Sequence, residues 1–293
     1  MLYEIGIKYL GFLVDLYYTL FKDLDKDLKK AAIPLTSYEY AAQAVTVGLL
    51  IALPTSILIG ILICFLANLF KISILQNTTI IILITIILFL IIFHLILLFY
   101  TIYPSIRIPQ RKASIEKNLP YATLYMATIA NTGAPPIAIF RFLSRMPDFG
   151  EIRQEAKDIV EMVDVLGQDL LRALDKKAKY SPSKQWAELL IGLKTILESG
   201  GDLSEYLYRM SDLYSRELRR KVQQFGDLLM MVVEMYLTLV IVGGFFMIIL
   251  SLIMGGMGGD IEAIKVMHIL LLGLVIPIVS IGLAFMIKSM LPI

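Results

Sequence analysis

The sequence predicts an all-α, polytopic membrane protein with four transmembrane helices and a central cytoplasmic six-helix bundle. Three observations carry that prediction. Hydrophobic residues make up 58% of the 293-residue chain and charged residues only 18%, with a mean hydropathy of +0.76, far from soluble norms. Four runs, at 40–70, 72–106, 235–259 and 266–287, contain no Asp, Glu, Lys or Arg, and each reaches the roughly 20 residues a helix needs to cross the hydrocarbon core. Between the second and third runs lies a charged segment, 107–234, broken by glycines and prolines at helix-like intervals. The chain therefore divides into an amphipathic N-terminal segment (1–39), a first pair of spans (40–106), a cytoplasmic helical domain (107–234) and a second pair of spans (235–293).

The N-terminal segment reads as a cytoplasmic amphipathic helix. Glu4, Lys8, Gly11, Asp15, Thr19 and Lys22 recur at steps of three and four and form one polar stripe. Ile5, Tyr9, Phe12, Leu13, Leu16 and Leu20 form the opposite face, suited to the membrane interface or to packing on the cytoplasmic body. Pro34 separates this helix from the first span. Asn68, Gln76, Asn77, Thr78 and Thr79 supply a polar loop between the first two spans.

Orientation follows from the basic residues, which favour the cytoplasmic side. With both termini inside, only Lys71 and Lys265 of the 27 fall outside. Short flanks agree: Lys22, Lys26, Lys29 and Lys30 precede the first span, and Arg107, Arg111 and Lys112 follow the second. The expectation is a multi-pass protein of the cell membrane whose basic residues meet lipid headgroups. The net charge of +2, with both signs interleaved, gives no reason to expect nucleic acid as a partner.

Within 107–234 the stops are regular. Asn118 is placed to cap a helix with Pro120 near its start, and Gly133 closes that helix before Pro135 and Pro136 open the next. Asp148 and Glu151 form a capping-box spacing ahead of a helix with Ile152, Ala156, Ile159, Val163 and Leu166 on its apolar face; Gly167 ends it. Ser181 before Pro182 starts a helix that buries Trp186, Leu189, Leu190, Leu193, Ile196 and Leu197 and ends at Gly200 and Gly201. Asp202 with Glu205 begins the last helix, with Leu203, Leu207, Met210 and Tyr214 facing inward. Gly133, Gly167 and Gly200 are 34 and 33 residues apart, so three helical hairpins repeat. The period resembles a tetratricopeptide array, but its signature positions are not reproduced.

The stretch from Leu119-Pro120-Tyr121-Ala122 through Gly133-Ala134-Pro135-Pro136, with Gly150-Glu151, the turn from Gly167 to Leu174, and Glu198-Ser199-Gly200-Gly201-Asp202-Leu203, resembles the F domain of type II secretion systems. That domain also occurs in platform proteins of type IV pili, Tad pili and the archaellum. The resemblance covers about residues 110–260, and the order of span pair, helical domain and span pair is similar to single-F-domain Tad-type or archaeal members. Secretion and bacterial pilus members carry two such domains in one chain. The resemblance implies a non-enzymatic platform that binds a hexameric cytoplasmic secretion ATPase, helps move pilin-like subunits out of the bilayer, and pairs as a homodimer or with another F-domain protein.

Three groups of residues are candidates for these roles. Arg141, Arg145, Glu151 and Arg153, with Lys176, Lys177 and Lys179, would dock the ATPase through exposed charge at the hairpin ends. Asp227 and Glu234 form an acidic pair two helical turns apart at the mouth of the third span, placed either to meet water and headgroups or to receive a basic group. Arg216, Arg219, Arg220, Lys221 and Val222 mark a coupling helix; no proline occurs between Pro182 and Pro277, so the helix from Asp202 can enter the third span as a stiff rod.

Enzyme chemistry has no foothold in the sequence, so no catalytic, cofactor or metal residue is assigned. There is no GxxxxGK[ST] loop. Gly258-Gly259-Asp260 is reminiscent of intramembrane aspartyl peptidases, but their GxGD spacing would need glycine at Met257, and no span aspartate completes a pair. Cys64 stands alone, and His94 and His268 lie in separate spans. The alternative function, a small-solute transporter or channel, calls for ionisable residues or broken helices within spans. Only Pro54 and Pro277 point that way.

Overall fold

The computed structural model describes residues 2–69, 78–258 and 261–290, and among them every element is helical. Four helices are long and apolar enough to cross a membrane. Two compact units are present, 1–206 and 207–293.

The first unit starts with α1 (Leu2–Tyr18), a 3₁₀ turn (Lys22–Leu24) and α2 (Asp25–Lys30), followed by the long helix α3 (Ser37–Leu69). α1 packs along α3, and the contact is made by small and buried groups. A Cβ added at Gly6 would stand 2.4 Å from Thr46 Oγ1 and 2.7 Å from the Ala42 carbonyl oxygen, so the backbones approach as closely as glycine permits. Val14 and Phe21 are fully buried. Of the two settings expected for the apolar face, packing on the body is not the one seen for most of it: Tyr9 is 73% exposed and Phe12 83%, with Leu16 and Leu20 also exposed, which leaves the membrane interface. In a membrane protein an apolar surface can face lipid while small residues make the helix contact.

The second span does not end where its apolar run ends. α4 (Thr78–Ala130) is one helix of 53 residues, about 80 Å long at 1.5 Å per residue, and carries Pro104, Pro109 and Pro120 inside it. Asn118 therefore caps nothing; its side-chain amide donates to the Ser114 carbonyl one turn back. Pro104 lacks the N–H that would bond the Tyr100 carbonyl, and that carbonyl accepts the Tyr40 hydroxyl from α3 at 3.0 Å. Thus one proline cost is met across the helix pair. Asn68 lies within α3, and Thr78 and Thr79 begin α4, so these three of the polar residues expected in a loop are helical. Lys71, Gln76 and Asn77 lie outside the described residues.

The C-terminal half of α4 is the spine of a helical bundle, burying Ile115, Leu119, Ala122, Met126 and Ala127. Around it stand α5 (Pro136–Leu143), α6 (Glu151–Val160), α7 (Leu170–Tyr180) and α8 (Lys184–Ser199). The six helical segments expected from the stops exist, but not as a free-standing six-helix bundle: the first is the continuation of the second span, and most of the last, α9 (Leu203–Leu237), belongs to the second unit. Gly133, Gly167 and Gly200 all adopt the left-handed region, with φ of +72°, +64° and +69°, where glycine meets no Cβ penalty. α5 pairs mainly with α6 and α7 with α8, so these glycines join the hairpins rather than turn within them.

Two caps differ from expectation. Gly150 precedes α6 without a side-chain cap, so Asp148 and Glu151 form no capping box; Asp148 sits in a 3₁₀ turn, Pro147–Phe149. The α8 cap is Ser183, whose hydroxyl accepts from the Trp186 N–H, two residues after the expected Ser181. After α6 a π turn, Glu161–Val165, rotates the register, so Met162 rather than Val163 is buried and Leu166 is exposed. The Asp202 cap holds: its carboxylate accepts from the Glu205 N–H at 3.0 Å.

The second unit comprises α9 from Leu207, a π turn (Thr238–Val242), α10 (Gly243–Gly256), α11 (Ile261–Leu270), a second π turn (Leu271–Val275) and α12 (Ile276–Met290). Helical backbone runs from Leu203 to Gly256 with only the π turn as a departure from α geometry. Hydrogen bonds from Tyr236 to Ser280 at 3.1 Å and from Ser251 to His268 at 3.3 Å join its spans. Gly259 and Asp260, the last two residues of the peptidase-like motif, lie outside the described residues.

Candidate functional site

The densest charge chemistry lies where α2, α4, α6 and α7 meet. Arg111 projects from α4, one turn below the end of the apolar run, and is only 2% exposed. Its Nε donates to Glu151 Oε2 at 2.7 Å, its Nη2 to Glu155 Oε1 at 2.6 Å, and its Nη1 to the Lys30 carbonyl at the end of α2. Glu155 is equally buried, and Lys177 of α7 lies 3.3 Å from its second oxygen as a charge partner without hydrogen-bond geometry. Lys177 also donates to Asp158 at 2.7 Å, and Gln154 donates to the other Asp158 oxygen at 2.8 Å. One guanidinium fork thus clamps three elements, a task its fixed planar donors suit.

This arrangement holds helices together. Each carboxylate in the network has a cationic partner, and no group of three or more potential ligands able to hold a metal occurs among the described residues. The histidines are hydrogen-bonded within the spans. His94 Nδ1 must donate to the Leu90 carbonyl at 2.8 Å, which leaves Nε2 to accept from the Tyr17 hydroxyl of α1 at 3.3 Å.

The structure separates the seven expected docking residues. Glu151 and Lys177 belong to the buried network and are not free charge. Arg153 donates its Nε–H to the Ser144 carbonyl at 3.1 Å. Glu151, Arg153, Lys176 and Lys177 all line one groove of about 980 Å³. Arg141 and Arg145 do not line it; Arg141 makes a two-pronged pair with Asp164 at 2.7 and 2.8 Å. Its hydrogen bonds hold the Asp164 carboxyl below the usual carboxylate range, and Asp164 in turn raises the Arg141 guanidinium. Arg145, Lys176 and Lys179 are exposed.

In the second unit, Asp227 and Glu234 are both exposed on α9, and neither forms an ion pair among the described residues. Arg216 pairs with Asp212 at 2.6 Å one turn back. Arg219, Arg220 and Lys221 are exposed, as is Val222 at 54%.

Residues 122–251 match the model of the type II secretion system protein F family. That stretch is similar to the F domain of type II secretion systems, as the sequence resemblance implied. The matched stretch runs from the lower half of α4 through the hairpins and along α9 into α10. Arg111 and Lys30 precede it, while Glu151, Glu155 and Lys177 fall inside, so the ion network ties the F domain to the segment before it. Three proteins of Methanocaldococcus jannaschii are similar to the chain. An uncharacterized protein is 26% identical over 132 residues, 45% of this chain and 22% of the relative. Flagella accessory protein J is 27% identical over 112 residues, 38% of this chain and 20% of the relative. A second uncharacterized protein is 29% identical over 82 residues, 28% and 24% of the two chains. The matches span about a fifth to a quarter of these relatives' length. No solved structure matches the chain significantly.

Sequence reasoning found Glu151 and Lys177 but gave them the wrong setting, and it passed over Glu155. The available signal was the i, i+4 spacing of Glu151 and Glu155 on the same face as the apolar Ile152 and Ala156, which marks carboxylates that must be paired inside.

Proposed function

We propose that this chain is a platform protein of a type IV pilus-like, archaellum or type II secretion assembly machine, set in the cell membrane with both termini cytoplasmic. It is non-enzymatic, and it couples a cytoplasmic secretion ATPase to the extraction and assembly of pilin-like subunits. It acts as a homodimer or with another F-domain protein. The observation that supports coupling best is the unbroken helix from Leu203 to Gly256, which leads from the F domain into a span. A helix of this kind transmits tilt or rotation with little loss, because bending it disrupts its hydrogen-bond ladder. The name of the archaellum-related relative supports the same class of machine.

Replacing Val222, exposed in mid-helix, by proline removes one ladder bond and costs about 3 kcal/mol locally, whereas alanine is mild. The expected variant inserts and binds its ATPase yet supports no filament or secretion. Normal assembly by a stably inserted Val222→Pro protein would remove the lever from the account.

A further inference from the structure

The groove beside the ion network has a chemical character that coupling to an ATPase does not use. It is lined by Lys29, Arg107, Arg153, Lys157, Lys176 and Lys177 on the basic side, against Glu151, Asp158 and Glu161 on the acidic side. Arg111 engages Glu151 and Lys177 engages Asp158, which neutralises two of the three carboxylates from within. Lys29 leans over the Tyr180 ring at 5.1 Å and pairs loosely with Asp25 at 3.6 Å. Arg107, Lys157 and Lys176 converge on the groove with no carboxylate partner among the described residues. Three cations from three helices around one cavity repel one another, and an anion relieves that repulsion.

Position identifies the anion. Arg107 is the first charged residue after the apolar run of the second span, so the mouth of the groove sits at the membrane boundary. A second cavity of about 300 Å³ opens on the span side of the same arginine, lined by Tyr40, Phe99, Tyr100 and Tyr103. Ile33 and Arg107 line both. A basic recess outside and an aromatic cleft inside, joined at one arginine, match a molecule with a phosphate head and an apolar tail. Both volumes lie in the range of small-molecule sites, about 300–1,000 Å³, and basic recesses at this depth are suited to anionic headgroups.

We infer that the groove and cleft together form a site for one anionic phospholipid, with its phosphate held by Arg107, Lys157 and Lys176 and one acyl chain lying against Phe99 and Tyr103. The shared chemistry is a phosphate ester, and the source is the bilayer rather than solution. Such a lipid would brace α4 against α6 and α7 at the point where the F domain leaves the membrane.

The test is native mass spectrometry of the full chain in detergent, titrated with phosphatidylglycerol, phosphatidylcholine or water-soluble glycerol phosphate. Wild-type protein should retain one phosphatidylglycerol at far lower concentration than phosphatidylcholine. The Arg107→Gln, Lys157→Gln, Lys176→Gln triple variant should lose on the order of a hundredfold in that preference, taking about fivefold per basic residue near an anionic headgroup. Phe99→Ala with Tyr103→Ala should weaken lipid retention without altering glycerol phosphate binding. Unfolding temperatures measured without added lipid should be unchanged in both variants, which separates loss of the ligand from loss of the fold. Equal retention of phosphatidylglycerol by wild type and the triple variant would overturn the site. So would glycerol phosphate binding as tightly as whole lipid, or an acidic protein displacing the lipid.

Discussion

Replacing Arg111 by leucine keeps most of the apolar stem but removes the guanidinium that three groups depend on. Glu155 is 2% exposed and would retain only Lys177, at 3.3 Å, while Glu151 and the Lys30 carbonyl would lose their donors. Breaking a buried ion pair from one side costs about 3–5 kcal/mol, because the remaining charge stays desolvated without compensation. Lys177 keeps the expected loss near the lower bound, about 3 kcal/mol, or on the order of 10 °C in unfolding temperature for a body of this size. The assay is thermal unfolding in detergent, read by protease sensitivity of the helices α5 to α8, with Arg111→Leu compared to the Arg111→Leu, Glu155→Leu double variant. The double variant should recover a large part of the loss, since replacing both partners by apolar groups can be close to neutral. A single variant within 1 kcal/mol of wild type, or a double variant worse than the sum of the two single changes, would refute the clamp.

Tyr40→Phe removes the hydroxyl that serves the Tyr100 carbonyl freed by Pro104, and should cost about 1–3 kcal/mol for an acceptor left unsatisfied; in a Pro104→Ala background, where the helix supplies its own N–H, the same change should cost much less. Gly6→Leu drives a side chain into Thr46 and the Ala42 carbonyl and should release α1 from α3, seen as faster hydrogen exchange over 2–18 while α5 to α8 stay protected. Asp164→Asn tests the sign of the surface pair: Arg141 lowers the folded Asp164 value below the ordinary 3.8, so the contribution is present above that pH and is lost as pH falls through the lowered value. The difference between wild type and variant should therefore be visible at neutral pH and vanish in stronger acid.

The parts of the fold written in local chemistry were legible. Charge-free runs gave the four spans, and Gly133, Gly167 and Gly200 marked chain reversals because the left-handed backbone they adopt disfavours other residues. Asp202 announced its helix through a three-residue reach to Glu205. What escaped depends on partners distant in sequence. Pro104, Pro109 and Pro120 look like stops until Tyr40, on another helix, serves the Tyr100 carbonyl that the first of them leaves free. Arg111 looks like a topology signal until the fold brings Glu155, 44 residues on, within 2.6 Å. The packing face of α1 is set by Gly6, a residue with no hydrophobic signal, while its most apolar positions stay exposed.

The central claim is that this F-domain chain works as the membrane platform of a filament or secretion machine. Affinity purification of the tagged full chain from native membranes, quantified by mass spectrometry against an untagged control, tests it most directly. The account predicts enrichment of a hexameric secretion ATPase and of pilin-like subunits, with the ATPase lost when Arg145 and Lys179, exposed members of the expected docking set that lie outside the lipid groove, are reversed to glutamate. Recovery of the chain without either partner, together with solute flux in reconstituted vesicles, would contradict it.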